Sequence, residues 1–106
     1  MITRKQIDDW CAEIVQRFHP EKVVLFGSCA TGTSTEDSDV DLLVVMSFEG
    51  RSVEQAVQVR MDTRPMFPVD LIVRTPEMIA ERLRMGDTFI REILETGRVL
   101  YETSHA

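Results

Sequence analysis

Residues 23–46 read VVLFGSCATGTSTEDSDVDLLVVM, and the fold turns on how that stretch divides. Val23-Val24-Leu25-Phe26 is short, apolar and rich in β-branched residues, which predicts a buried strand that stops at Gly27. Ser28 to Ser38 is small and polar, with Gly32 inside it. It reads as a turn, with a short helix starting near Ser28, followed by a loop. Asp39 to Met46, DVDLLVVM, reads as a second strand.

Working outward, Ile7, Trp10, Cys11, Ile14, Val15 and Phe18 recur at three- and four-residue steps. That spacing predicts one apolar face of a helix. Thr3 and Gln6 form a candidate capping box at its start, and Pro20 ends it near Phe18–His19. Downstream, Ser52 to about Asp62 predicts a helix with a Ser52–Gln55 cap and Val53, Ala56 and Val57 facing inward. Val69 to Val73 is a third strand. Thr75-Pro76 opens a helix in the order N-cap, then proline at the first position. Gly86-Asp87 interrupts it. A last helix carries Phe89, Ile90, Ile93 and Leu94 on one face and stops at Gly97, expected as a left-handed cap. Val99-Leu100-Tyr101 predicts a short final strand. This order points to a small α/β or α+β sheet covered by helices.

The chain has 106 residues, 43% hydrophobic and 28% charged, with a formal net charge of −6. That length suits one domain, taken as residues 1–106. An acidic chain is a poor match for a phosphate backbone, so general nucleic-acid binding is not expected. No apolar run approaches the roughly 20 residues of a membrane span. The start, MITRKQIDDW, lacks the apolar segment of a signal peptide. Two cysteines, Cys11 and Cys29, are too few for a disulfide framework and fit a reducing cytoplasm. The methionines, among them Met61, Met66, Met78 and Met85, read either as gap-fillers or as an exposed contact surface. His19 and His105, at a helix end and a chain end, are assigned no chemistry.

The chemistry lies in three carboxylates. Aspartate is depleted in strands, yet Asp39 and Asp41 open one strand and Asp70 lies inside another. Side chains alternate along a strand, so Asp39 and Asp41 share a face opposite Val40, Leu42 and Val44. Three aspartates on one patch of sheet repel one another, and a divalent cation removes that penalty. Oxygen ligands of this kind suit magnesium, which keeps several waters and takes its other ligands from substrate phosphates. Gly27-Ser28 follows the first strand. A helix starting at Ser28 would turn free N–H groups toward a phosphate, and the Ser28 hydroxyl could add a donor. Together these features imply a nucleoside triphosphate with magnesium.

Gly27-Ser28, then ten residues, then Asp39-Val40-Asp41 resembles the signature of the polymerase-beta-type nucleotidyltransferases. The surrounding stretch looks like their smallest branch, the minimal nucleotidyltransferases. Asp70, in PVDLIV, matches that family's third carboxylate. Giving each of the four fixed residues roughly 6% usage, a chance match in a chain this size is on the order of one in a thousand. The resemblance implies a small mixed β-sheet flanked by helices, the nucleotidyltransferase fold. It covers most of the chain, from the first helix to Tyr101. Many members carry arginines just after the Gly-Ser pair, where this chain has Cys29 and Thr31. Arg51, Arg60, Arg64 and Arg74 are the candidates to replace their charge.

The mechanism expected from these residues is two-metal transfer, with ions roughly 3.5–4 Å apart clamping attacking and leaving oxygens. Asp39 and Asp41 would hold the ion on the triphosphate, with both ions between them, and Asp70 would complete the second ion's shell and act as, or position, the base for the incoming hydroxyl. The resemblance implies transfer of AMP from ATP to a hydroxyl, a tyrosine of a partner HEPN-domain toxin, as the antitoxin of a toxin–antitoxin pair. Two alternatives stay open: a non-catalytic antitoxin that neutralises its partner by binding, and the catalytic subunit of a small-molecule nucleotidyltransferase.

Overall fold

The first helix, α1 (Arg4–Phe18), forms where the apolar spacing requires it. Its capping box closes in both directions: the Gln6 N–H donates to Thr3 Oγ1 at 3.1 Å, and the Thr3 N–H donates to Gln6 Oε1 at 2.8 Å. His19 takes a left-handed turn ahead of Pro20. The computed structural model describes residues 2–103; His105 lies outside them. The remaining elements are β1 (Lys22–Phe26), α2 (Ser28–Thr31), β2 (Val40–Val45), α3 (Ser52–Thr63), β3 (Val69–Arg74), α4 (Pro76–Arg84), α5 (Thr88–Thr96) and β4 (Arg98–Glu102). Among the described residues no helix is long and apolar enough to cross a membrane.

The strands form one mixed sheet in the order β3-β2-β1-β4. β1 is antiparallel to both of its neighbours, and β2 runs parallel to β3. Helices cover both faces. On one, Ile7, Trp10 and Ile14 of α1 and Val59 of α3 join Val23, Leu25, Leu42 and Val44 of the sheet. On the other, Ile90 and Ile93 of α5 join Val24, Phe26, Leu43 and Val45, with Ile79 and Leu83 of α4 packed alongside. Even-numbered residues of β2 thus face α1 and α3. Asp41, two before Leu43, shares the α5 side.

Four expectations need correcting. β2 begins at Val40, so Asp39 is the last loop residue and not part of the strand. The first residue of a strand needs a ladder partner, and Val40 supplies it by donating its N–H to Pro68 O at 3.0 Å. In α3, Val53 and Val57 are 67% and 51% exposed, while Val59 is fully buried. The Ser52–Gln55 cap is absent; Arg51 is the N-cap and makes no side-chain bond. The face of α3 is set by α1, where Trp10 Nε1 donates to Thr63 Oγ1 at 2.8 Å. That contact, with Val59 one turn earlier, turns Val53 and Val57 outward. Finally, Gly97 caps α5 in an extended conformation, not a left-handed one. Its glycine is needed for space: a Cβ there would run into Ile93 O and the Val24 side chain. The methionines divide: Met46 is buried, whereas Met61, Met66 and Met85 are exposed.

Candidate functional site

Gly27 ends β1 in a conformation that L-residues avoid, φ 73° and ψ −157°. A Cβ at this position would collide with Oδ2 of Asp41. The bend therefore lays bare backbone directly against a carboxylate, and glycine is required both for φ and for room. The one-turn helix α2 follows, with the N–H groups of Ala30 and Thr31 donating back to Gly27 O at 3.1 and 3.2 Å. The amides ahead of them, Ser28 and Cys29, have no acceptor within the helix by its geometry. Gly32 closes the turn with φ 80°.

The loop to β2 is held by its own small side chains. The Thr35 N–H donates to Ser38 Oγ at 2.8 Å, and the Ser38 N–H returns to Thr35 O at 3.1 Å. Cys29 Sγ donates to Asp39 O at 3.5 Å, tying α2 to the start of β2. Asp39 is thereby delivered beside Gly27-Ser28 even though it lies outside the strand.

Register does the rest. Phe26 lies opposite Asp41 across β1–β2, and Asp41 lies opposite Asp70 across the parallel β2–β3 pair. Paired residues of neighbouring strands point to the same face. Asp41 is half-buried, while Asp39 and Asp70 are exposed. Burial holds the Asp41 carboxyl above the usual aspartate range, with further pressure from Asp70 and then Asp39. Burial and the Asp41 charge likewise push the Cys29 thiol up, against hydrogen bonds from Ser34 and Ser28. Cys29 serves here as a tether between α2 and the start of β2.

All five residues singled out from sequence, Gly27, Ser28, Asp39, Asp41 and Asp70, lie at this one end of the sheet. The three carboxylates do not form a closed cage: among the described residues, no three acidic, histidine or cysteine side chains are placed to hold one ion together. The donor set still fits a hard divalent cation, which needs only one or two protein carboxylates when water and phosphate complete its shell. The like-charge pressure on Asp41 is what such a cation would relieve. Of the candidate arginines, Arg60 and Arg74 line a groove that reaches Asp70, and Arg74 Nη1 donates to Val73 O at 2.8 Å. Arg51 and Arg64 sit at the two ends of α3 and do not line that groove.

One part of the site escaped the sequence reading. A cleft of about 260 Å³ opens beside Gly27 and Asp41, walled by Phe26 and by Phe89, Glu92 and Thr96 of α5. Phe89 shares the apolar face that the spacing predicts for this helix, and it is 51% exposed. The available signal was local: Phe26 immediately precedes the glycine bend, and any ring packed on it borders the site.

Residues 8–101 match the family described as nucleotidyltransferase domain. MJ0604 of Methanocaldococcus jannaschii, named as a candidate protein adenylyltransferase, is 33% identical over 85 residues, which cover 76% of this chain and 78% of that protein. Among solved structures, a candidate nucleotidyltransferase from Sulfolobus solfataricus superposes with a TM-score of 0.64 at 24% identity, over 92% of this chain and 78% of its own. A toxin–antitoxin complex with AMP-PNP superposes with a TM-score of 0.57 at 21% identity, over 92% and 74%. The two structural likenesses bear on the fold alone.

Proposed function

This chain belongs to the nucleotidyltransferase domain family and is a transferase, and from that premise we propose that it is a magnesium-dependent protein adenylyltransferase that moves AMP from ATP to a partner protein. The acceptor is a hydroxyl, a tyrosine of a HEPN-domain toxin, and the transfer neutralises that toxin in the cytoplasm. The observation that carries this reading is the parallel pairing of Asp41 with Asp70 while the Gly27 backbone lies against Asp41. The protein adenylyltransferase name of the M. jannaschii relative supports a protein acceptor and an adenylyl donor.

Asp39 and Asp41 would hold magnesium on the triphosphate, and Asp70 would complete the shell of a second ion. When bound, the ions neutralise phosphate charge and align the attacking and leaving oxygens. The chain's own residues do the positioning. The amides at Gly27-Ser28, with the Ser28 hydroxyl, orient the phosphates. Asp70 is exposed on the edge strand β3, and it takes or directs the proton of the incoming hydroxyl. The acceptor oxygen then bonds to the α-phosphorus, the bond to the bridging oxygen breaks, and pyrophosphate leaves. Arg60 and Arg74, beside Asp70, supply positive charge that Cys29 and Thr31 cannot.

The test is incubation of the purified chain with α-labelled ATP, magnesium and its cognate partner. Label should appear on the partner and vanish with chelator. Asp39→Asn combined with Asp41→Asn separates enzyme from masking antitoxin: if that variant still neutralises the toxin, inhibition is by binding and transfer is not the mechanism.

A further inference from the structure

The cleft beside Asp41 has no role in the transfer as described above. We propose that it is the nucleobase subsite, with Phe89 as the stacking surface and Glu92 reading an exocyclic amine. This rests on the proposed nucleotide chemistry and extends it to the choice of base.

Position is the first argument. The cleft shares Gly27 and Asp41 with the phosphate end of the site. A nucleotide whose phosphates lie at the glycine bend can extend its base along α5 without leaving the protein. At about 260 Å³ it is smaller than the roughly 300–1,000 Å³ that holds a whole drug-sized ligand. It suits a single ring system.

The second argument is the aromatic pair. Phe26 and Phe89 meet edge to face, with centroids 6.0 Å apart and planes at 85°. Phe26 is almost fully buried and anchors the pair, while Phe89 stays 51% exposed. Its neighbours on α5, Ile90 and Ile93, are covered. A ring held in one orientation but left half in water is a ready stacking surface for a base.

The third argument is the polarity of the rim. Phe89, Glu92, Ile93 and Thr96 recur at three- and four-residue steps, so they share one side of α5. Glu92 is exposed and makes no ion pair among the described residues. Ionised, it only accepts hydrogen bonds. Thr96 Oγ1 donates to Glu92 O at 2.8 Å, so its hydroxyl proton is used and its lone pairs remain. On the α5 side of the rim the polar side chains offer acceptors and no free donor, which complements an amino group and opposes a carbonyl. That side therefore selects adenine over hypoxanthine, in which the amine is replaced by an oxygen.

The experiment is titration calorimetry of the full chain with magnesium and ATP, ITP or inorganic tripolyphosphate. ATP should bind about 5- to 150-fold more tightly than tripolyphosphate, the span expected for one stacked base. Phe89→Ala should erase that advantage and leave tripolyphosphate binding unchanged. Phe89→Leu keeps the packing on Phe26 and should lose most of the advantage as well, which covers the case in which the alanine variant misfolds. Glu92→Gln, whose amide can donate to a carbonyl, should narrow the ATP-to-ITP ratio. The subsite is refuted if both Phe89 variants bind ATP like wild type, if they weaken tripolyphosphate equally, or if Glu92→Gln leaves the ratio as it was. If the wild type binds none of the three ligands, the nucleotide chemistry itself fails and the subsite falls with it.

Discussion

From Leu42 to Val45, β2 is closed on both faces: Leu42, Leu43 and Val44 show no exposed surface and Val45 only 7%. At the other end the same strand carries Asp41, half-buried beside Asp70, with Asp39 just outside it. The apolar half gains free energy by leaving water, about 1.5–3 kcal/mol for each fully buried aliphatic side chain. The acidic half loses free energy by the same burial, because desolvation and like charge both oppose the Asp41 carboxylate. One continuous ladder of hydrogen bonds holds both halves in register, so the stable half pins the costly one in place. An acid built for folding would sit in solvent or beside a cation; Asp41 is instead half-buried, with Asp70 and Asp39 as its charged neighbours.

The sharpest way to break that comparison is to neutralise the acidic half. Asp39→Asn with Asp41→Asn should lower transfer about 10²–10⁴-fold, the span for losing positioned polar or acid–base groups. The thermal midpoint should hold or rise, because the folded state already disfavours the Asp41 charge. A melt that collapses together with the activity would make the acids structural. Leu43→Ala tests the other half and should cost about 2–5 kcal/mol in urea unfolding. Its transfer rate per folded molecule should stay near wild type.

Gly27→Ala probes the junction between the halves. Positive φ and the Asp41 carboxylate both oppose a Cβ. The loss should be about 1–3 kcal/mol of stability, with transfer reduced beyond what the unfolded fraction explains. The cysteines sharpen the same contrast. Cys11, in the apolar core, is pushed up to about 11 by burial and secondarily by Asp8. Its folded state holds the thiol proton more tightly than the unfolded chain does. Its contribution is therefore complete below about pH 9 and is lost as pH rises from there through about 11. Alkaline unfolding curves should show this drop in wild type and not in Cys11→Ala. Smallest of all, Val53→Ser and Val57→Ser should each move stability by under about 0.5 kcal/mol, since both side chains already face water.

Much was legible before any coordinates. α1 shows its apolar stripe and its Thr3–Gln6 box in the sequence, because both are contacts within a few residues. Thr75-Pro76 opens α4, with Thr75 Oγ1 accepting the Met78 N–H at 3.1 Å, for the same reason. α3 was misread because its valines suit a helix equally well on either side, and only Trp10 and β3 select Val59. Gly97 was misread because its requirement is room against Val24, a residue far away in sequence. Phe89 was placed on the right face of α5, but its exposure was not legible, because periodicity identifies a face and not how completely that face is covered.

By itself the sequence determined the local elements, the glycine–serine bend and the presence of three acids in and beside strands, since periodicity, capping and φ preferences act over a few residues. Only the tertiary structure decided that β3 pairs parallel to β2 with Asp70 opposite Asp41, that Asp41 lies against Gly27, and that Phe89 borders them. Strand pairing and register are settled by closing long loops around a shared core, and neither the cost of those loops nor the fit of that core is written in any single segment.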